Sequence, residues 1–161
     1  MQLRLSKIVL TSLSCLFLLI VAFNNVTDPN SNYQFVRHVL SMDTTFPGNT
    51  LMYRAITTPL LHKVAYAFII SWEFLCCALV GIGTLKLLNA RGAPLAEWKK
   101  AKGLASLGLT AGMVQFYFGF MAVGGEWFLM WQSKTWNGQD AAARLFTFMG
   151  ISLIFLNQAD D

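Results

Sequence analysis

The sequence predicts an all-α fold: an integral membrane four-helix bundle with a structured extracytoplasmic loop of short helices after the first span. Three observations predict it. Of 161 residues, 55% are hydrophobic and only 12% charged, against about 25% charged in an ordinary soluble domain. Apolar runs on the scale of the roughly 20 residues that cross a bilayer core as a helix recur at about residues 8–26, 64–88, 103–131 and 141–156. Three of these runs also carry small or polar residues at helical spacing, which marks faces that pack on other helices. The length fits a single membrane domain, residues 1–161.

The first run, Ile8–Val26, follows Arg4 and Lys7. A cleaved signal peptide starts the same way, but Ala22-Phe23-Asn24-Asn25 offers no small-x-small cleavage site and the run exceeds a usual signal core. An uncleaved anchor helix is the expectation. Residues 27–61 are polar and broken. Asp28-Pro29-Asn30-Ser31-Asn32 reads as a turn, Tyr33–Met42 as one short helix, and Asn49–Ile56 as another that stops before Pro59. Phe35, Val36, Met42, Phe46, Leu51, Met52 and Tyr53 need cover, so this stretch is a structured loop. The second run, Val64–Leu88, holds one internal charge, Glu73, and Lys86, Arg91, Lys99, Lys100 and Lys102 gather at and beyond its end. The third, Gly103–Trp131, contains Gln115 and Glu126. The fourth, Ala141–Leu156, is short for a span and has Arg144 near its start.

Four spans put both termini on one side. Arg4, Lys7 and the Lys86–Lys102 cluster outweigh Arg37, Arg54, Lys63 and Lys134, and the denser cationic set marks the cytoplasm. The termini and residues 89–102 are therefore expected in the cytoplasm, with the 27–61 loop and the 132–140 turn outside. The block Gly124-Gly125-Glu126-Trp127-Phe128-Leu129-Met130-Trp131-Gln132, with Trp136-Asn137-Gly138-Gln139 after it, then falls at the outer interface, where indoles prefer to lie. Trp127, Trp131, Trp136 and Asn137 form the expected outer-interface motif.

On the third run, Gly108, Gly112, Gln115, Gly119, Ala122 and Glu126 alternate at steps of four and three. Such a stripe has a period of about 3.5, the mark of a left-handed packed seam. Thr11, Cys15, Leu18, Ala22 and Asn25 repeat the pattern on the first run, and Glu73, Cys77, Gly81 and Thr84 share a face on the second. With these stripes inward, Glu73, Glu126, Arg144, Asn25 and Gln115 converge as an intramembrane polar cluster in the outer half of the bundle. An ionisable side chain in a span costs about 2.5–3.5 kcal/mol at the centre, so it points to function by default: a proton or cation site, or a polar pocket for a headgroup. The plainer reading pairs Glu126 with Arg144 to fix two helices and leaves Glu73 neutral or bonded to neighbouring donors.

Several classes are disfavoured. The net charge of +4 includes no basic block long enough for nucleic acid. Cys15, Cys76 and Cys77 lie in apolar runs with no metal or disulfide spacing, and read as packing residues. His38 and His62 are far apart and no ligand pattern links them with Asp43, so no metal and no cofactor is expected. No GxSxG, Walker or Rossmann pattern occurs, and enzymatic activity is not expected.

Asp43-Thr44-Thr45-Phe46-Pro47-Gly48-Asn49, Ser71-Trp72-Glu73, the Gly124–Ser133 block and Trp136-Asn137-Gly138-Gln139 resemble a bacterial family of predicted small integral membrane proteins of unknown function, over nearly the whole chain. The resemblance implies a four-span protein of the bacterial inner membrane and transfers no catalytic residue. Three functions follow as expectations. The first is a non-enzymatic accessory or assembly partner of a membrane complex, with the bilayer and a membrane-protein partner or a second copy as its contacts. The second is a small oligomeric transporter or permeation module using Glu73 and Glu126, although no inverted repeat is visible. The third is a lipid or quinone pocket among the Trp and Phe residues, set against the simpler view that these aromatics are interface and core.

Overall fold

A computed structural model describes residues 2–160. The chain runs through α1 (Gln2–Thr27), α2 (Pro29–Ser41), α3 (Pro59–Asn89), α4 (Leu95–Val114) and α5 (Gln139–Asn157), and α4 continues into a wider helix, Gln115–Trp127. No strand occurs among the described residues. Four helices are long and apolar enough to cross a membrane: Gln2–Thr27, Pro59–Asn89, Leu95–Trp127 and Gln139–Asn157. Each exceeds its expected apolar run at the start, because the helix extends through polar flanks that hydropathy alone excludes.

α1, α3, α4 and α5 pack around a closed ring, each on its two neighbours. Leu18, Cys76, Val80, Leu87, Leu109, Phe116, Met149 and Leu156 fill the middle. The outward faces keep Leu13, Phe17, Phe68, Leu85 and Ile151 exposed, the apolar surface that a four-span protein offers to lipid. Between helices in lipid, contact comes from close fit. A Cβ on Gly83 would collide with the backbone nitrogen of Ala105 and lie 2.6 Å from its Cα, and one on Gly108 would lie 2.7 Å from the nitrogen of Val80. α3 and α4 therefore touch backbone to backbone, and glycine is required at both points.

The small-residue stripes are buried on α1 (Thr11, Leu18 and Ala22) and on α3 (Glu73 and Cys77). On α4 the stripe holds through Gly108, Gly112 and Gln115 and then fails, with Gly119 and Glu126 exposed. The reason is the change of helix type. From Gln115 the hydrogen bonds lengthen to i→i+5, as in Phe128 N to Val123 O at 3.0 Å, and a wider turn shifts the buried face to Phe116, Gly124 and Gly125. Extrapolating a period of about 3.5 across that junction rotates every later residue onto the wrong face. Helices of this kind are rare and often mark functional sites.

The segment Asp28–Asn32 is not a turn. Asp28 caps α2, its carboxylate accepting from Ser31 N at 3.4 Å, and Pro29 occupies the first turn. Asp followed by Pro is as good a helix start as it is a turn. The second loop helix shrinks to a single 3-10 turn, Met52–Arg54. The third span leaves its helix after Trp127, so Trp131 lies in a separate short turn, Met130–Gln132.

Candidate functional site

The loop between α1 and α3 folds onto the segment after the wide helix. Val39, Met42, Phe128, Leu129 and Met130 form a second buried cluster, in which Met42 and Leu129 both hold left-handed backbone (φ 55° and 54°). Such conformations cost about 1–3 kcal/mol for non-glycine residues and persist where packing over-determines them. Polar contacts tie the two segments. Thr44 Oγ1 donates to Ser133 Oγ (2.9 Å), Phe46 N to Gln132 Oε1 (3.0 Å), and Arg54 Nη1 to the Trp127 carbonyl (3.3 Å). The Arg54 guanidinium also lies 4.5 Å from the Trp127 ring, and His38 stacks on Trp136 at 4.7 Å. Asn137 Oδ1 accepts from Gln139 N (3.1 Å) at the start of α5. The tryptophan-rich block is thus the seat of the loop.

Register explains what the loop covers. Asn25, two residues before the end of α1, meets Glu73, which lies 14 residues along α3. At about 1.5 Å per residue, α3 extends roughly 20 Å beyond that level, and α2 folds into the space above the end of α1. Asn25 Nδ2 donates to Glu73 Oε2 (2.5 Å) and Gln115 Nε2 donates to Glu73 Oε1 (3.0 Å), with Glu73 only 2% exposed. Tyr66 closes the group by donating to the Asn25 carbonyl (2.6 Å). Trp72 Nε1 donates to the Ala111 carbonyl (3.0 Å), one turn before the helix widens.

Beside this network lies a chamber of about 400 Å³. α2 roofs it with Phe35, Val36, Val39 and Leu40; α3 supplies Ala65, Phe68, Ile69 and Trp72; the wide helix supplies Gln115, Phe118, Gly119, Phe120, Val123 and Gly124. Phe68 and Phe118 are 65% and 62% exposed, so the chamber opens sideways on the outer surface of the bundle. Gln115 is the one side chain in its lining with a hydrogen-bonding oxygen. That oxygen, Oε1, is buried and without a partner. The wide turn makes the space: Gly119 lines the chamber, and a Cβ there would meet nothing within 4 Å.

The polar residues singled out in the sequence therefore separate. Asn25, Glu73 and Gln115 come together. Glu126 and Arg144 are both exposed and form no ion pair with each other: the salt bridges among the described residues are Lys7–Asp160, His38–Asp43 and Lys102–Asp160. Glu126 sits next to Trp127 where the wide helix ends, and Arg144 one turn into α5. His38 bonds Asp43 (2.8 Å), whereas His62 bonds the Ile56 carbonyl (2.7 Å). No group of three or more His, Cys, Asp or Glu side chains converges among the described residues. The Cys15 and Cys77 sulfurs lie 3.9 Å apart where α1 meets α3, and all three thiols are free.

At the opposite end lies a cluster that the sequence reading missed. Lys7 (0% exposed) and Lys102 (6%) both bond Asp160, with Lys7 Nζ at 2.7 Å from Oδ1, and both reach the Gln158 carbonyl. The Trp98 ring, fully buried, lies 6.0 Å from Lys102 and 5.0 Å from Arg4. Burial pushes the Asp160 carboxyl up, but the ammonium donors of Lys102 and Lys7, with Trp98 beside them, outweigh it and bring the group down to about 2. The available signal was two lysines and an aspartate at the same end of three different helices, read separately as flanking charges.

Comparison with known proteins gives one family. A family model described as "Predicted small integral membrane protein (DUF2165)" matches residues 3–159. Among curated proteins and among solved structures, none is significantly similar to the chain.

Proposed function

We propose, for a chain that belongs to this family of predicted small integral membrane proteins, a non-enzymatic function carried inside the bilayer: holding a small membrane-dissolved amphiphile in the chamber beneath α2. The observation that carries this reading is the chamber itself. It has the volume of a small-molecule site, apolar walls and a mouth on the outer surface of the bundle. A water-soluble ligand finds almost no polar partner there. An apolar one dissolved in the bilayer enters between Phe68 and Phe118 without crossing water.

This reading keeps the accessory role, with the protein presenting or retaining the amphiphile for a membrane complex. It displaces the transporter reading, because Glu126 and Arg144 stand apart from Glu73, and Asp160 is buried at the opposite end of the bundle, so Glu73 is left as a lone carboxylate tied by two amides. The bacterial inner membrane and cytoplasmic termini belong to the same proposal. The support is the concentration of cations at the terminal end, where Arg4 Nη1 donates to the carbonyls of Arg91 (3.1 Å) and Ala93 (2.7 Å).

The test is binding of tritiated 4-octylanisole to tagged protein in lipid nanodiscs by scintillation proximity, with empty nanodiscs subtracted. Saturable binding that Gly119→Leu abolishes while the protein stays folded is the expected result. Binding that is unsaturable, or indifferent to Gly119→Leu, overturns the reading.

A further inference from the structure

α1 and α5 run antiparallel. Lys7 meets Asp160 near the terminal end, and Ser14 Oγ lies 3.3 Å from Ser152 Oγ midway. Counted from that serine contact, the end of α1 at Thr27 and the start of α5 at Gln139 are level. Between the two helices lies a second cavity, of about 340 Å³. Ser14 and Ser152 form its floor, and Leu13, Phe17, Phe148 and Ile151 form its walls. The floor is low because serines stand there, Ser14 being bonded back to the Leu10 carbonyl (2.9 Å). All four wall residues are exposed, so the cavity is a groove open along the side of the bundle. A membrane-spanning chain meets acyl chains along such a surface.

The groove ends below two opposite charges. Arg144 and Asp140 lie one and two turns before Phe148, on one stripe of α5, and both are exposed. Neither forms an ion pair among the described residues, although their i,i+4 spacing would allow one. At about 1.5 Å per residue from the serine contact, Arg144 stands roughly 12 Å toward the loop end and Asp140 roughly 18 Å. Asn24 continues the α1 stripe of Leu10, Ser14 and Phe17, is exposed, and stands roughly 15 Å up on the same scale. Outward from the groove the order is thus apolar trough, then cation and amide, then carboxylate. An arginine in a span is costly without a partner, and its planar fork matches phosphate.

We infer that the α1–α5 groove holds an acyl chain of a phospholipid with a primary-ammonium headgroup, its phosphate on Arg144 and Asn24 and its ammonium on Asp140. In such a lipid the phosphate lies nearer the chains and the ammonium nearer water, the same order as the charges on α5. Arg144 and Asn24 donate to the phosphate oxygens, and Asp140 accepts from the ammonium N–H groups. A choline headgroup has no N–H to give, and a glycerol headgroup brings Asp140 no positive charge. The site is separate from the chamber beneath α2 and does not depend on it. An open groove surrenders its lipid to detergent, so the test keeps the protein in a bilayer.

The protein is placed in nanodiscs of dioleoylphosphatidylcholine containing a trace of one photoreactive lipid. The probes are phosphatidylethanolamine, phosphatidylcholine and phosphatidylglycerol with the same diazirine-bearing acyl chain. Adducts are mapped by mass spectrometry. The yield on the groove residues of α1 and α5 is divided by that on the exposed face of α3 around Ile82 and Leu85, which reports surrounding lipid. In the wild type the ethanolamine probe is expected to label the groove about threefold more than either other probe. Asp140→Asn should bring it down to the choline level, whereas Arg144→Gln should lower all three.

Equal labelling by the three probes in the wild type overturns the inference. Stronger labelling by the glycerol probe overturns it too, since Arg144 would then be a plain anion site. So does an ethanolamine preference that survives Asp140→Asn. The wild-type comparison needs no variant, so a variant that fails to fold does not shield the inference.

Discussion

Replacing Gly83 by alanine tests the packing that holds the bundle together. The added Cβ would run into the backbone nitrogen of Ala105, 2.6 Å from its Cα and 2.7 Å from its Cβ, where ordinary van der Waals contact begins at 3.4 Å. The obstruction is mostly backbone, so no side chain can rotate away, and α3 must withdraw from α4 along the seam that contains Val80, Leu87 and Leu109. Overpacking costs about 1–3 kcal/mol, and a rigid neighbour places this site at the upper end. Replacing glycine inside a helix returns about 1 kcal/mol of propensity, for a net loss of about 2 kcal/mol. Gly103→Ala is the control: it lies in the neighbouring α4, and its Cβ would meet nothing within 4 Å, so it should gain up to about 1 kcal/mol. Gly112→Ala meets only the flexible end of Met149, its sulfur at 2.6 Å, and should fall between the two. Unfolding free energies measured by steric trapping in bicelles should separate Gly83→Ala from Gly103→Ala by about 3 kcal/mol. Equal stabilities would refute the backbone contact and with it the α3–α4 register.

Three further outcomes follow from particular contacts. Glu126→Gln and Arg144→Ala should each change unfolding free energy by no more than about 0.5 kcal/mol, because both side chains are exposed and unpaired; a double-mutant cycle showing strong coupling would contradict their separation. Asp160 is held at about 2, below its usual 3.8, so the stabilisation it provides is complete above roughly pH 4 and is lost as pH falls through the folded value; hydrogen exchange at the C-terminal end should show the tail releasing in that window, and Asp160→Asn should release it at neutral pH. Mild oxidation in membranes should join Cys15 to Cys77, read as a cross-linked peptide by mass spectrometry, since their sulfurs are 3.9 Å apart; cross-linking of Cys15 to Cys76 instead would place the wrong face of α3 against α1.

What the sequence made legible was whatever depends on one helix at a time. Apolar length located four spans, with starts placed two to eight residues inside the observed helices, and small residues located the packed faces of α1 and α3. The stripe on the third span was right as far as Gln115, which is why Asn25, Glu73 and Gln115 were placed together. It failed at Glu126 because helix type is not written in hydrophobic periodicity, and a wider turn changes the phase of every residue beyond it. Arg144 was misplaced by pairing it with a carboxylate that had itself been rotated inward. The chamber was illegible for a related reason: it exists because α1 ends level with Glu73 and α2 folds across the gap, and no single segment encodes that register. The Lys7–Lys102–Asp160 cluster joins three distant parts of the chain, and each charge alone looks like an ordinary helix flank. The Trp127–Trp136 block was read as a membrane-interface belt, whereas its carbonyls, amides and rings also hold the loop that roofs the chamber.

The most direct measurement of the central claim is native mass spectrometry of the protein extracted from its own membrane in mild detergent, beside Gly119→Leu prepared identically. The account predicts a single small amphiphile retained at near-equal amount by the wild type and missing from the variant. A wild-type protein that emerges with no retained small molecule, or with the same one as the variant, would contradict it.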